Sequence, residues 1–204
     1  DDVPNGELPP CWVAPATSTS SSGTFPSVYN YSSNAYSSPR YFEFESTTGA
    51  NEIVGLPEME NINQKSLTFY ASVRKINFVL EAGVLNGTVF EPVETINLVA
   101  GTSWSSGYRP YTVYYGSYNG NGNRIALRVT GTPDSSYTLM VDNVEVNTFY
   151  GCYPVSNLDA AVIDSTSIAL SRKPKQEGII QVYFDCKPAL CDKLRALAKS
   201  GLKD

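Results

Sequence analysis

Histidine is absent from all 204 residues, so the commonest general base and the commonest metal ligand at neutral pH are both missing. No Gly-x-Ser-x-Gly elbow, Gly-rich phosphate loop or His-Glu-x-x-His helix occurs either, which excludes the usual hydrolase, nucleotide-binding and zinc-protease signatures. Charge is scarce: Asp, Glu, Lys and Arg make up 17% of the chain, below the roughly 25% of an ordinary soluble domain. No apolar run approaches the ~18 to 20 residues of a membrane span, so no membrane insertion is expected. Nor is there a Cys-x-x-Cys pair of the kind that holds zinc.

Ser, Thr, Asn, Gly and Tyr fill the gap, a composition typical of extracellular β-proteins. The net charge of −5 is unevenly spread. Residues 172–204 carry eight basic and four acidic groups, and the rest of the chain seven basic and sixteen acidic. An acidic body argues against nucleic acid as a partner, because phosphate neutralisation needs clustered Lys and Arg. It suits cations and neutral ligands. A secreted or cell-surface location is expected, with a chain opening at Asp1 then being the mature form. The four cysteines are Cys11, Cys152, Cys186 and Cys191, and four allow three pairings. Cys11 with Cys152 ties the start of a main domain to its end, leaving Cys186 with Cys191; four free thiols are the alternative.

Along the chain, residues 1–40 read as turn and loop, from Pro4-Asn5-Gly6 through the Ser/Thr run Thr17 to Gly23. From Tyr41 a period of two takes over. Leu67, Phe69, Ala71 and Val73 alternate with polar residues, and Ile76, Phe78, Leu80, Ala82 and Val84 repeat the pattern. Asn86-Gly87 predicts a type I′ hairpin turn. Further strands are expected over 41–45, 51–56, 89–99, 111–115, 125–129 and 137–146. Eight or so strands at this spacing, each with one apolar and one wet face, predict an all-β antiparallel sandwich.

The character changes after Val146. Val155 to Val162 and Ser167 to Leu170 read as two strands of a partial immunoglobulin- or fibronectin-like segment over 151–171. A basic tail over 172–204 follows, with one strand at Ile179 to Phe184 and a short amphipathic helix at Pro188 to Ser200. The main domain is therefore 1–150. The tail strands could add to the edge of a second copy, giving a homo-oligomer through residues 151–204.

Three stretches carry a family resemblance over about residues 3–150. They are Asn5-Gly6-Glu7-Leu8-Pro9-Pro10-Cys11-Trp12, Ser66-Leu67-Thr68-Phe69-Tyr70-Ala71, and Ile125-Ala126-Leu127-Arg128-Val129 with Leu139-Met140-Val141-Asp142-Asn143-Val144-Glu145-Val146. In this order they resemble the MAM-like, cleaved-adhesin-type jelly-roll domains of Bacteroidetes surface and secreted proteins. Tyr153-Pro154-Val155-Ser156-Asn157-Leu158 resembles the start of the fibronectin-like modules that follow in such proteins. The resemblance implies a jelly-roll sandwich, adhesion or polysaccharide recognition, and in some members a structural calcium. Its ligands here would be Asp142 with Asp2, Glu7 or Asn143, since Pro4 stands where an acidic residue is usual.

The candidate contact residues are aromatic. Fourteen Tyr and two Trp are present, and Trp104, Tyr108, Tyr111, Tyr114 and Tyr115 cluster in sequence. Flat rings with a polar edge stack on sugar faces or grip proteins at low entropic cost. Trp104, Tyr108, Arg109 and Tyr114 are the residues expected to bind, with a glycan or a host or cell-surface protein as partner. Three functions follow in order. The first is a non-catalytic adhesion or carbohydrate-binding module. The second is an assembly subunit of a fibre, filament or capsid decoration, docking through its C-terminal segment. The third is a glycosidase using two carboxylates, Glu43 with Glu45 or Asp142 with Glu145. Asn30-Tyr31-Ser32 and Asn86-Gly87-Thr88 fit the N-glycosylation pattern, and Asp164-Ser165-Thr166 a bacterial O-glycosylation pattern.

Overall fold

The computed structural model describes residues 2–133 and 135–149, together with the backbone of three strands further on. The chain divides into two compact units, Asp1–Gly151 and Cys152–Asp204.

Strand propensity and alternation build the first unit. Its strands are β1 (Val13–Ala16), β2 (Ser18–Ser20), β3 (Gly23–Phe25), β4 (Ser27–Tyr29), β5 (Tyr41–Ser46), β6 (Asn51–Gly55), β7 (Lys65–Ser72), β8 (Phe78–Asn86), β9 (Val89–Ile96), β10 (Arg109–Tyr114), β11 (Arg124–Gly131) and β12 (Tyr137–Thr148). A 3₁₀ turn at Ile62–Gln64 precedes β7. Two five-stranded antiparallel sheets form, ordered β1-β6-β11-β8-β9 and β10-β7-β12-β5-β4, and β2 pairs with β3 as a separate hairpin. From β5 to β12 every connection except the β8–β9 hairpin crosses from one sheet to the other. This is the jelly-roll β-sandwich expected from the sequence.

The two inner faces meet in one core. Phe44, Leu67, Phe69, Val113, Leu139 and Val141 come from one sheet, and Val54, Leu80, Ala82, Val84, Ile125, Leu127 and Val129 from the other. Each such side chain contributes about 1.5–3 kcal/mol by leaving water. One carboxylate lies among them. Glu52 on β6 is fully buried, accepts a hydrogen bond from the Tyr137 hydroxyl at 3.0 Å and another from Ser18, and so joins the two sheets and the β2 hairpin. Burial raises its pKa to about 7, with both hydroxyls opposing the rise.

Several expectations are corrected. The stretch read as loop over 1–40 contains four short strands, of which β1 is held by β6 and β4 by β5. Strands of three or four residues carry too little alternation to stand out from a Ser/Thr-rich loop. Ile76 is 52% exposed, because β8 begins only at Phe78. The hairpin loop is Gly87-Thr88, one residue later than expected, since Asn86 pairs with Val89. Gly87, at φ +62°, occupies its first position, the glycine placement of a type II′ turn.

The second unit shows a three-stranded antiparallel sheet, β13 (Leu158–Val162), β14 (Ser167–Arg172) and β15 (Gln181–Asp185), in that order. The expected helix at 188–200, the Asp164-Ser165-Thr166 O-glycosylation pattern and Cys152, Cys186 and Cys191 lie outside the described residues. Cys11 is exposed, and no described residue forms a disulfide with it. No helix among the described residues is long and apolar enough to cross a membrane.

Candidate ligand cleft

Alternation on β5 puts Phe42 and Phe44 into the core and turns Tyr41, Glu43 and Glu45 outward. On neighbouring β12 the outward residues are Thr138, Met140 and Asp142. The outer face of this sheet is not open to solvent throughout, because two long loops fold over it. One joins β4 to β5 and brings Tyr31, Asn34 and Tyr36. The other joins β9 to β10 and brings Trp104 and Tyr108.

Asp142 holds the first loop. Its Oδ2 accepts the backbone N–H groups of Tyr36 and Ser37, both at 2.9 Å. Its Oδ1 accepts the N–H of Asn143 at 2.7 Å and lies 2.7 Å from the Ser37 hydroxyl, which is equally close to Asn143 Oδ1. The Tyr36 ring stacks on Tyr70 of β7, centroids 4.2 Å apart and planes at 15°, and tilts against Tyr108 at 5.5 Å. The second loop is held at Trp104, whose carbonyl accepts the Ser72 hydroxyl at 2.8 Å and whose ring lies 5.7 Å from the Arg74 guanidinium carbon. Tyr41, Tyr108 and Met140 are buried beneath, with Tyr29, Tyr70 and Trp104 packed on them.

Between these loops and the sheet lies a cleft of about 330 Å³. Its floor is Tyr41, Glu43, Glu45, Thr138 and Met140, and its walls are Tyr29, Tyr31, Asn34 and Trp104. Glu43 is 4% exposed. Neither its carboxylate nor that of Glu45 has a hydrogen-bond or ion-pair partner among the described residues. Burial, then the neighbouring Glu45 and Glu52 charges, push the Glu43 pKa up to about 8. Burial and then the Glu43 carboxylate raise that of Tyr41 further above its ordinary value, against a hydrogen bond with Asn34.

The four residues expected to bind do not form one patch. Trp104 lines the cleft. Tyr108 is 6% exposed and supports the cleft from below. Arg109 is exposed at the start of β10 and pairs with Ala71. Tyr114 lies at the far end of β10, five residues or about 17 Å away, edge-on to Phe149. Missed by the aromatic reading were Tyr29, which β4 places beside Tyr41 of β5, and Tyr31 and Asn34, whose contribution depends on a loop pinned by a residue more than a hundred positions away.

The residues expected to hold calcium are not brought together as one set. Three backbone N–H groups donate to the Asp142 carboxylate and the Ser37 hydroxyl lies against it, so the carboxylate is engaged by the loop. Glu7 is exposed and its backbone pairs with Val28 of β4, placing it three strand spacings, about 14 Å, from β12. Asp2 is exposed, and Asn143 is the φ +47° residue of a bulge in β12. Among the described residues no group of three His, Cys, Asp or Glu is placed to hold a metal ion.

A jelly-roll sandwich with an aromatic, carboxylate-floored cleft on one sheet is the class of protein these features define. No family model matches the sequence, and no curated protein matches it. Solved structures with a similar course do exist. TmCBM61 in complex with β-1,4-galactotriose is 16% identical, with a TM-score of 0.45, over 70% of this chain and 91% of that one. The K1 cleaved-adhesin domain of Lys-gingipain from Porphyromonas gingivalis is 14% identical, TM-score 0.46, over 69% and 92%. A family 11 carbohydrate-binding module from Clostridium thermocellum, in complex with a β-1,3-1,4-mixed-linked tetrasaccharide, is 16% identical, TM-score 0.41, over 72% and 94%. At such identities no side-chain role carries over from them to this chain.

Proposed function

We propose that the first unit is a non-catalytic glycan-binding module of a secreted or cell-surface protein, and that the cleft under Trp104 is its ligand site. One observation carries this reading: Trp104, Tyr29 and Tyr31 wall a cleft floored by two carboxylates without partners among the described residues. Aromatic rings offer the apolar face of a pyranose a stacking surface, while Glu43, Glu45 and Asn34 supply acceptors and a donor for its hydroxyls. The cleft fits one or two sugar units.

Hydrolysis is the competing reading, favoured by the raised pKa of Glu43 beside Glu45. A glycosidase needs its acid and its nucleophile or base on opposite sides of the scissile bond. Glu43 and Glu45 lie two residues apart on one strand and approach a ligand from the same side. Asp142 and Glu145 share this outer face through the bulge, opposite Tyr70 and Thr68, but Asp142 is engaged with the loop. Binding without turnover is therefore the expected behaviour. Incubating the protein with the oligosaccharides it retains should give no shortened products by chromatography, whereas products lost on Glu43→Gln would establish catalysis.

A further inference from the structure

The cleft has an electrostatic imbalance that a neutral sugar does not relieve. Glu43 and Glu45 project from the same face of β5, about 6.8 Å apart along the strand. Glu43 is 4% exposed, lines the cleft and has no hydrogen-bond partner among the described residues, so its carboxyl is left to whatever enters the cleft. The ion pairs of the described residues lie elsewhere, Arg124 with Glu58 and Arg128 with Glu81. No Lys or Arg is among the residues lining the cleft, and Arg74 meets the Trp104 ring without being one of them. What does surround the pair is Tyr29, Tyr41 and Trp104, whose ring faces attract cations.

We propose that the cleft selects a sugar residue bearing a free, protonated amino group, with the ammonium held by Glu43 and Glu45 and the ring carried by Trp104. This rests on the glycan-binding reading and adds the substrate class. Ammonium is a three-fold donor and a full positive charge, so it stabilises the ionised form of both carboxylates, which an uncharged hydroxyl does far less. Asn34 is left for a ring hydroxyl. The titratable groups facing Glu43 are Glu45 on its own strand, Tyr29, Tyr41 and Tyr108 around it and Glu52 behind it; burial first, then the Glu45 and Glu52 charges, keep its proton in place while the cleft is empty. Entry of a cation reverses that balance, so binding near neutral pH releases a proton.

The test is calorimetric titration of the full chain, near pH 6.5, with glucosamine oligomers, N-acetylglucosamine oligomers of equal length and neutral gluco-oligosaccharides. The expected result is at least a tenfold preference for the free amine over its acetylated twin. That preference should vanish in both Glu43→Gln and Glu45→Gln, and the heat should vary with the buffer's ionisation enthalpy. Gln keeps the shape of Glu, and circular dichroism checks that each variant is folded. Equal or tighter binding of the acetylated or neutral oligomers overturns the amine assignment and leaves the glycan reading standing. A preference that persists in both variants overturns it too, because attraction to the acidic body as a whole then explains it. Absence of binding to every saccharide by folded protein overturns both.

Discussion

Replacing Glu43 by Gln should make the protein more stable at alkaline pH while leaving it nearly unchanged in acid. Glu43 titrates at about 8 in the folded protein against an ordinary 4.5, its burial being the main cause. The folded state therefore keeps a proton that the unfolded chain has lost, and stability falls as pH rises from the lower value to the higher. Each unit of that interval is worth about 1.4 kcal/mol, so the full difference approaches 5 kcal/mol and the part developed between about pH 5 and about pH 8.5 is about 4 kcal/mol. Gln has no such proton and removes this part of the slope. The assay is urea unfolding of both proteins at the two pH values. With a slope of about 2 kcal/mol/M, the variant's midpoint should exceed the wild type's by about 2 M in alkali and by only a few tenths in acid. All other titrating groups cancel in the comparison. Parallel pH profiles for the two proteins would show that the Glu43 carboxyl is not held out of water as described.

Other residues give sharper local expectations. Asp142→Ala leaves two loop N–H groups and one bulge N–H without their acceptor, and should cost about 2–3 kcal/mol of stability in denaturant titrations. Because those donors engage the carboxylate, millimolar calcium should not raise the wild-type melting temperature; a rise abolished by Asp142→Asn would contradict this geometry. Gly49 sits at φ +68°, where an added Cβ would lie 1.9 Å from the Thr132 carbonyl oxygen, so Gly49→Ala should destabilise by more than about 2 kcal/mol. Tyr137→Phe removes one of the hydroxyls that stabilise the Glu52 carboxylate. It should raise that group's pKa, and it should steepen the loss of stability above neutral pH.

The sandwich was legible wherever period-two alternation ran long enough. The inward sets of β7 and β12, and Phe78 to Val84 of β8, are buried as alternation requires, whereas Ile76 shows that alternation cannot say where a strand begins. The strands β1 and β4 were hidden because pairing with β6 and β5, not composition, makes them extended, and β2 and β3 because they pair with each other. At the site, Trp104 and the pair Glu43 and Glu45 were each visible as chemistry, but as parts of separate hypotheses. What joins them is long-range: sheet order sets β5 beside β12, and Asp142 closes a loop across 105 positions of chain. Asp142 stood out as an oxygen-rich ligand, and its carboxylate captures loop N–H groups, a role that calls for the same side chain.

Glycan capture by this protein depends on the cleft under Trp104. A glycan array probed with the wild-type protein and with Trp104→Ala, both shown to be folded, addresses it directly. Saturable binding by the wild type, reduced at least tenfold in the variant with an unchanged melting temperature, is the expected result. Binding that survives the loss of Trp104, or a blank array with folded wild-type protein, would place the ligand elsewhere or take glycans away as the ligand class.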